Sequence, residues 1–213
     1  MSTVEEMIAD WTQSGGAHAA FHQGGELLNR IPENTPLDHR IKGGVCFAAS
    51  TCFIKCRNMG FDGERIVALL RHPNQAEMIC ERQDGYFKAK NWDEKYTVNG
   101  MQHAKLFDSA RPAQLSSREK VLEQIGKPGL YIFEAYSTGV PSKGHSIAFD
   151  TRDQSNVYFF DANSGIYSGR SLDEFREWYK KYWEASHGVE EPSYKAQFKK
   201  GSRRLFRYSA GEA

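Results

Sequence analysis

The chain has no CxxC pair, no internal repeat, no low-complexity tract and no apolar run long enough to cross a bilayer. The first of these absences argues against a zinc knuckle. The last predicts a protein without an integral membrane segment. The start shows no basic stretch followed by an apolar h-region, so no cleavable export signal is read there. Excess charge is missing as well. The 28 Lys and Arg stand against 27 Asp and Glu, leaving a net charge of +1. That balance gives no general reason to expect nucleic acid or an anionic membrane as partner. The basic cluster Lys199-Lys200-Gly201-Ser202-Arg203-Arg204 is short and reads as a solvated turn. Cysteine is sparse, at positions 46, 52, 56 and 80. The first three fall in one predicted helix, whose rigid spacing keeps Cys46 away from Cys52 and Cys56. The thiols therefore read as free, which points to a reducing compartment where the protein acts.

What is present fits a globular fold. The 213 residues include 39% hydrophobic and 13% aromatic side chains, enough for one domain with a real core. The order of patterns is helices first, then strands. Ser2-Thr3-Val4-Glu5 reads as a capping box opening a helix to about Gln13. A helical piece follows around Gly25–Ile31, then a loop with Pro32 and Pro36. Cys46–Asn58 has helical spacing with Gly60 as its stop, and Asp62 caps a helix over Gly63–Arg71. Pro73 starts another, to about Arg82. Residues 84–115 carry no clear pattern. Ser116 or Ser117 caps a helix to Ile125. The period then shifts toward two: Leu130–Tyr136, His145–Asp150 and Val157–Asp161 read as strands. Ser171–Ala185 is a helix whose stripe of Leu172, Phe175, Tyr179 and Tyr182 reads as core. Tyr179, Tyr182 and Trp183 also stand as a candidate interface. Tyr194–Phe198 and Arg204–Tyr208 look like a closing hairpin. This is an α+β plan.

The stretch with the most chemical promise is Gly43-Gly44-Val45-Cys46. A thiol at a helix N-terminus meets free N–H groups and partial positive charge, which favour the thiolate. The two glycines leave room for a substrate backbone to approach. A nucleophile also needs a base, and seven histidines compete for that role. His145 stands out through its neighbour across a turn. A five-residue loop, Thr151–Ser155, sets Phe149 opposite Val157, Ile147 opposite Phe159 and His145 opposite Asp161. Directly opposed Cβ atoms lie roughly 4.5–5.5 Å apart, within reach of a hydrogen bond from imidazole to carboxylate. Asp161 would then orient His145, which would take a proton from a thiol.

Three motifs now stand in order: Gly44-Val45-Cys46, Gly144-His145-Ser146 and Phe159-Phe160-Asp161-Ala162-Asn163-Ser164-Gly165. Together they resemble the YopT-type group of papain-like cysteine proteases, bacterial effectors and toxins. The resemblance implies a single papain-like domain over residues 1–213. Residues 1–40 would form a helical and looped N-terminal part, 41–125 a helical lobe and 129–208 a sheet lobe. The nucleophile helix would pack on a C-terminal antiparallel sheet. Cys46, His145 and Asp161 carry over as nucleophile, base and orienting acid, with no metal or other cofactor. Ala162 and Ser164 depart from the group's Asp-Pro-Asn-aromatic-Gly turn. The group's Gln or Asn five or six residues before the cysteine is replaced by Arg40 and Ile41. Gly44, Val45, Arg40 and Gly144 are the candidate oxyanion or substrate-binding residues. His39, Asn34 and Gln23 are further choices for the second oxyanion donor.

The function implied is a secreted effector or toxin that cleaves a specific protein in the target-cell cytoplasm. It would be delivered by a specialised secretion system without a cleavable signal, alone or as part of a longer toxin. A protein substrate is the implied partner, and a cognate immunity protein covering the cleft is another. The same triad could instead serve deamidation, transglutamination or acyl transfer. A catalytically dead binding module is the alternative of another class.

Overall fold

A computed structural model of the chain describes residues 3–31, 41, 44–101, 113–114, 118–136, 144–187 and 203–208. Eight helices are described: α1 (Val4–Gln13), α2 (Gln23–Glu26), α3 (Cys46–Asn58), α4 (Gly63–Arg71), α5 (Pro73–Lys88), α6 (Trp92–Val98), α7 (Arg118–Gln124) and α8 (Leu172–His187). The strands are β1 (Ala17–Ala20), β2 (Ala113–Gln114), β3 (Leu130–Tyr136), β4 (Gly144–Asp150), β5 (Val157–Asp161), β6 (Gly165–Arg170) and β7 (Arg203–Tyr208). They form one sheet in the order β1-β6-β5-β4-β3-β7-β2, with every described pairing antiparallel.

The alternation of side chains along the strands explains the layering. Leu130, Ile132, Ala148, Phe160, Ile166 and Phe206 face one side and pack with α3, α4 and α5. Tyr131, Phe133, Ile147, Phe149, Phe159 and Tyr167 face the other and pack with α1, α7 and α8. The sheet is therefore covered on both faces. The expected helical half on a sheet holds for α3–α5, but α1 crosses to the opposite face, against α8. Its Trp11 is fully buried there, 4.7 Å from Trp178 between ring centroids.

Local signals set most boundaries. Thr3, rather than Ser2, is the N-cap of α1, completing its capping box with Glu6. Asp62 caps α4 through the Arg65 N–H, and Pro73 sits in the first turn of α5. Helix α5 runs past Arg82 to Lys88, because Ile79, Cys80, Gln83 and Tyr86 continue its buried face. Strands β1 and β6 and helix α6 carry no strong sequence pattern and are additions. The short β1 reaches the sheet edge by pairing Ala17 with Ser168 and Ala20 with Gly165. Strand β7 lies beside β3 and β2, whereas Tyr194–Phe198, its expected hairpin partner, lies outside the described residues. Tyr179 and Tyr182 are 1% exposed, so they belong to the core and offer no interface.

The β4–β5 register differs from the expected one. Ile147, not His145, pairs with Asp161, and Phe149 pairs with Phe159. The connection is longer than five residues because its side chains build a wider turn. Asp150 accepts from the Arg152 N–H, and Asp153 accepts from the Ser155 N–H and hydroxyl. A slip of two residues preserves parity, so every side chain stays on its expected face.

Candidate active site

Cys46 opens α3, a helix without a local cap: Val45 at the N-cap position offers no side-chain acceptor. Two glutamines from elsewhere fill that role. Gln83 on α5, itself buried, accepts the Ala48 N–H at 3.0 Å. Gln23 at the start of α2 accepts the Val45 N–H at 2.7 Å. The N–H groups of Cys46 and Phe47 meet no acceptor among the described residues. They remain at the positive end of the helix, beside the thiol. Gly44 has φ +103°, and a Cβ there would stand 3.1 Å from the Gln23 Oε1. The glycine thus makes room for the Gln23 side chain as well as supplying the left-handed turn.

On the sheet side, His145 and Asp161 meet diagonally across β4 and β5. The His145 Nε2–H donates to Asp161 Oδ1 at 2.9 Å. The Cys46 sulfur lies close enough to the imidazole to act on its charge, Nδ1 being the ring nitrogen that Asp161 leaves over. Burial alone would lower the His145 pKa. The Asp161 carboxylate, and then the Cys46 sulfur, outweigh burial and hold it well above the ordinary histidine value. Asp161 is held in turn. Its Oδ1 accepts the Asn163 N–H at 2.8 Å and its Oδ2 accepts the Tyr182 hydroxyl at 2.9 Å. Burial, and the Asp161 charge beside it, push the Tyr182 hydroxyl pKa well up, so it stays a donor. Ser164 shares a 2.5 Å hydrogen bond with that hydroxyl. His18 donates from Nε2 to the Ser164 carbonyl at 2.8 Å, tying the turn to β1.

The third attachment of this turn is Gln23. Its backbone N–H donates to the Ala162 carbonyl at 2.7 Å, and its Nε2 donates to Asn163 Oδ1 at 2.6 Å. One glutamine therefore bridges the loop before Cys46 and the turn after Asp161.

Of the residues singled out from sequence, Cys46, His145 and Asp161 come together. Val45 is buried and gives its N–H to Gln23, leaving none for a substrate. Gly144 begins β4 next to His145. Ile41 is buried and apolar, so it donates nothing from its side chain. Arg40, His39 and Asn34 lie outside the described residues. Cys52, Cys56 and Cys80 are free and buried. Among the described residues no group of three or more His, Cys, Asp or Glu side chains could hold a metal ion, and no helix is long and apolar enough to cross a membrane. Asn163, Ser164 and Gln83 were not singled out for individual roles in the sequence, and Tyr182 read only as core or interface. The one available signal was that Asn163 and Ser164 sit in the acid's own turn.

A covered antiparallel sheet with a cysteine at a helix start, facing a histidine and an aspartate on neighbouring strands, defines the class of papain-like cysteine peptidases. The sequence model of peptidase family C58, described as Yersinia/Haemophilus virulence surface antigen, matches residues 72–200. The chain belongs to this family and is a cysteine peptidase of the bacterial virulence type. The matched stretch includes His145 and Asp161 and leaves Cys46 upstream. The fold is similar to the crystal structure of the Pseudomonas avirulence protein AvrPphB. The TM-score is 0.57 at 16% identity, over 86% of this chain and 99% of that one. No curated protein matches the sequence.

Proposed function

We propose that Cys46, His145 and Asp161 are the catalytic triad of this peptidase. The observation that carries the reading is the position of His145, hydrogen-bonded to Asp161 and within electrostatic reach of the Cys46 sulfur. When the imidazole takes the thiol proton, the sulfur becomes a thiolate, the attacking form. The thiolate adds to the scissile carbonyl, and the carbonyl electron pair moves to oxygen. The oxyanion takes the Cys46 N–H as one donor. Collapse of the adduct breaks the C–N bond, and His145 delivers its proton to the departing amine. Water, deprotonated by His145, then hydrolyses the thioester. Asp161 holds the ring at the required angle throughout, as the acid of a triad does.

The peptidase acts as a bacterial effector delivered into a target cell, where it cuts one protein or a narrow set in the cytoplasm. Family membership and the fold shared with the avirulence protein AvrPphB support this reading. A producing cell that holds such an enzyme beside its own proteins needs restraint. A small inhibitor seated over Cys46 would supply it.

The test is to incubate lysates of candidate target cells with the wild type and with Cys46→Ala, His145→Ala and Asp161→Ala, and to map new N-termini. New termini should appear with the wild type alone. Cleavage that persists undiminished in Cys46→Ala overturns the proposal.

A further inference from the structure

Cys46 and His145 come from different layers of the fold, and a buried acid stands between those layers. We infer that Glu134 is a positioning residue of this peptidase: through Tyr86 it fixes Phe47, the neighbour of Cys46, relative to Ser146, the neighbour of His145. This rests on the triad reading above and adds to it what sets the spacing of nucleophile and base.

Glu134 follows Leu130 and Ile132 along β3 and so faces α3 with them. It is 1% exposed. An apolar side chain would fill that place at less cost, because a carboxyl group gives up its hydration there. What the carboxyl adds is direction. Its Oε1 accepts the Tyr86 hydroxyl at 2.8 Å and the Ser146 hydroxyl at 3.5 Å. Ser146 stands directly opposite Glu134 in the β3–β4 register, as His145 stands opposite Ala135. Tyr86 carries the tie to the other layer. Its ring packs on Phe47, with centroids 4.2 Å apart and planes at 32°. One turn earlier on α5, Gln83 accepts the Ala48 N–H. Helix α5 therefore grips two consecutive residues of the turn that begins with Cys46. The Tyr86–Glu134 bond joins that grip to the strand pair that carries His145. A second tie, from the Ser50 hydroxyl to the Ser146 carbonyl at 3.3 Å, joins α3 to β4 one turn further on. A thiol and an imidazole supplied by separate layers react only at the right separation, and a misplacement of about 1 Å can cost on the order of 100-fold in rate.

The tie depends on a proton. Among the described residues, the charged groups facing Glu134 are Lys95 on α6 and Arg204 on β7, beside the hydroxyls of Tyr86 on α5 and Ser146 on β4. Burial raises its pKa to about 8 against the pull of the two cations, so the carboxyl is uncharged at neutral pH. Ionised, it is drawn toward Lys95 and Arg204 and loosens its hold on Tyr86.

The experiment follows acylation of Cys46 by p-nitrophenyl acetate, in which the sulfur takes the acetyl group and p-nitrophenolate leaves. The readout is the mass of the Cys46 peptide. Glu134→Gln keeps the acceptor for Tyr86 and cannot ionise. The double variant Glu134→Leu/Tyr86→Phe replaces both partners by apolar groups and keeps a ring on Phe47, an exchange that leaves stability nearly unchanged. At pH 7 we expect Glu134→Gln to acylate within about threefold of wild type, and the double variant about 10-fold or more slower at an unchanged urea midpoint. The wild-type rate relative to Glu134→Gln should be level below pH 7 and fall about threefold or more by pH 9, as the wild-type carboxyl ionises. That ratio decides the matter even where the double variant does not fold. A folded double variant with the wild-type rate overturns the assignment, and so does a ratio that stays level to pH 9. Failure of the triad reading looks different. There, wild-type Cys46 acylates no faster than Cys52, Cys56 and Cys80, and the Glu134 role falls with it.

Discussion

Tyr182 gives the clearest residue-scale test, because it touches the acid and nothing that reacts. Replacing its hydroxyl by hydrogen leaves the ring packed against Trp178, 4.8 Å away between centroids, and removes one donor from Asp161. A hydrogen bond to a charged group contributes about 1.5–3 kcal/mol. Tyr182→Phe should therefore slow acylation of Cys46 by about 10-fold or more, and stopped-time mass spectrometry would show it. Glu134 gives a second test, of stability. It is fully buried in β3, with the Tyr86 hydroxyl donating to Oε1 and no partner on Oε2 among the described residues. Burial pushes its pKa up to about 8, against the pull of Lys95 and Arg204. The native state then holds a proton that the unfolded chain, titrating near 4.5, has already lost. The stability this proton confers is fully present below about pH 4.5 and disappears as pH rises to about 8. Glu134→Gln, an isostere of the protonated form, should remove that slope, on the order of a few kcal/mol. Urea melts at pH 5, 7 and 8 would measure it.

At the scale of elements, the loop from Gly44 to Cys46 joins the helix to its distant caps. Gly44→Ala forces a side chain into a φ of +103° and against the Gln23 amide. The backbone penalty alone is roughly 1–2 kcal/mol. The variant should lose that much stability in urea, and lose acylation further because the amide is displaced. Sequence reasoning reached this loop and the proposed triad for sound physical reasons. A nucleophile at a helix start and a His–Asp pair on one strand face depend on spacing and parity, which a sequence displays. Parity survived the two-residue slip between β4 and β5, so His145 still reaches Asp161, although diagonally. The register itself was hidden, because side-chain-to-backbone bonds from Asp150 and Asp153 widen the turn. Gln23 stood among several candidate residues in the sequence but could not be singled out from them, for another reason. Its contacts, with Val45 and Asn163, join segments far apart in the chain and depend on the docking of β1 against β6. Strand β1 has four residues, too few for a period to show.

Across the whole molecule, the two faces of the sheet serve the site unequally. One face holds the Cys46 helix; the other, through Tyr182 of α8, holds Asp161. Trp11 anchors α1 to that second layer, packed on Tyr167, Phe175 and Trp178, with its indole N–H donating to the Ala17 and Ser168 carbonyls. Trp11→Ala should cost about 3–5 kcal/mol, read from the urea midpoint at constant m-value. The strand order has a further consequence, in time. Cys46 is made early, yet β1 must wait for β6, and β3 cannot gain its second neighbour until β7 has left the ribosome. Pairings between such distant segments close late in folding. A growing or refolding chain therefore carries Cys46 long before it carries the His145–Asp161 pair. During refolding, the selective reactivity of Cys46 should rise only with the slowest phase, in step with the last strand. A peptidase assembled in this order stays inert toward its neighbours until it is whole.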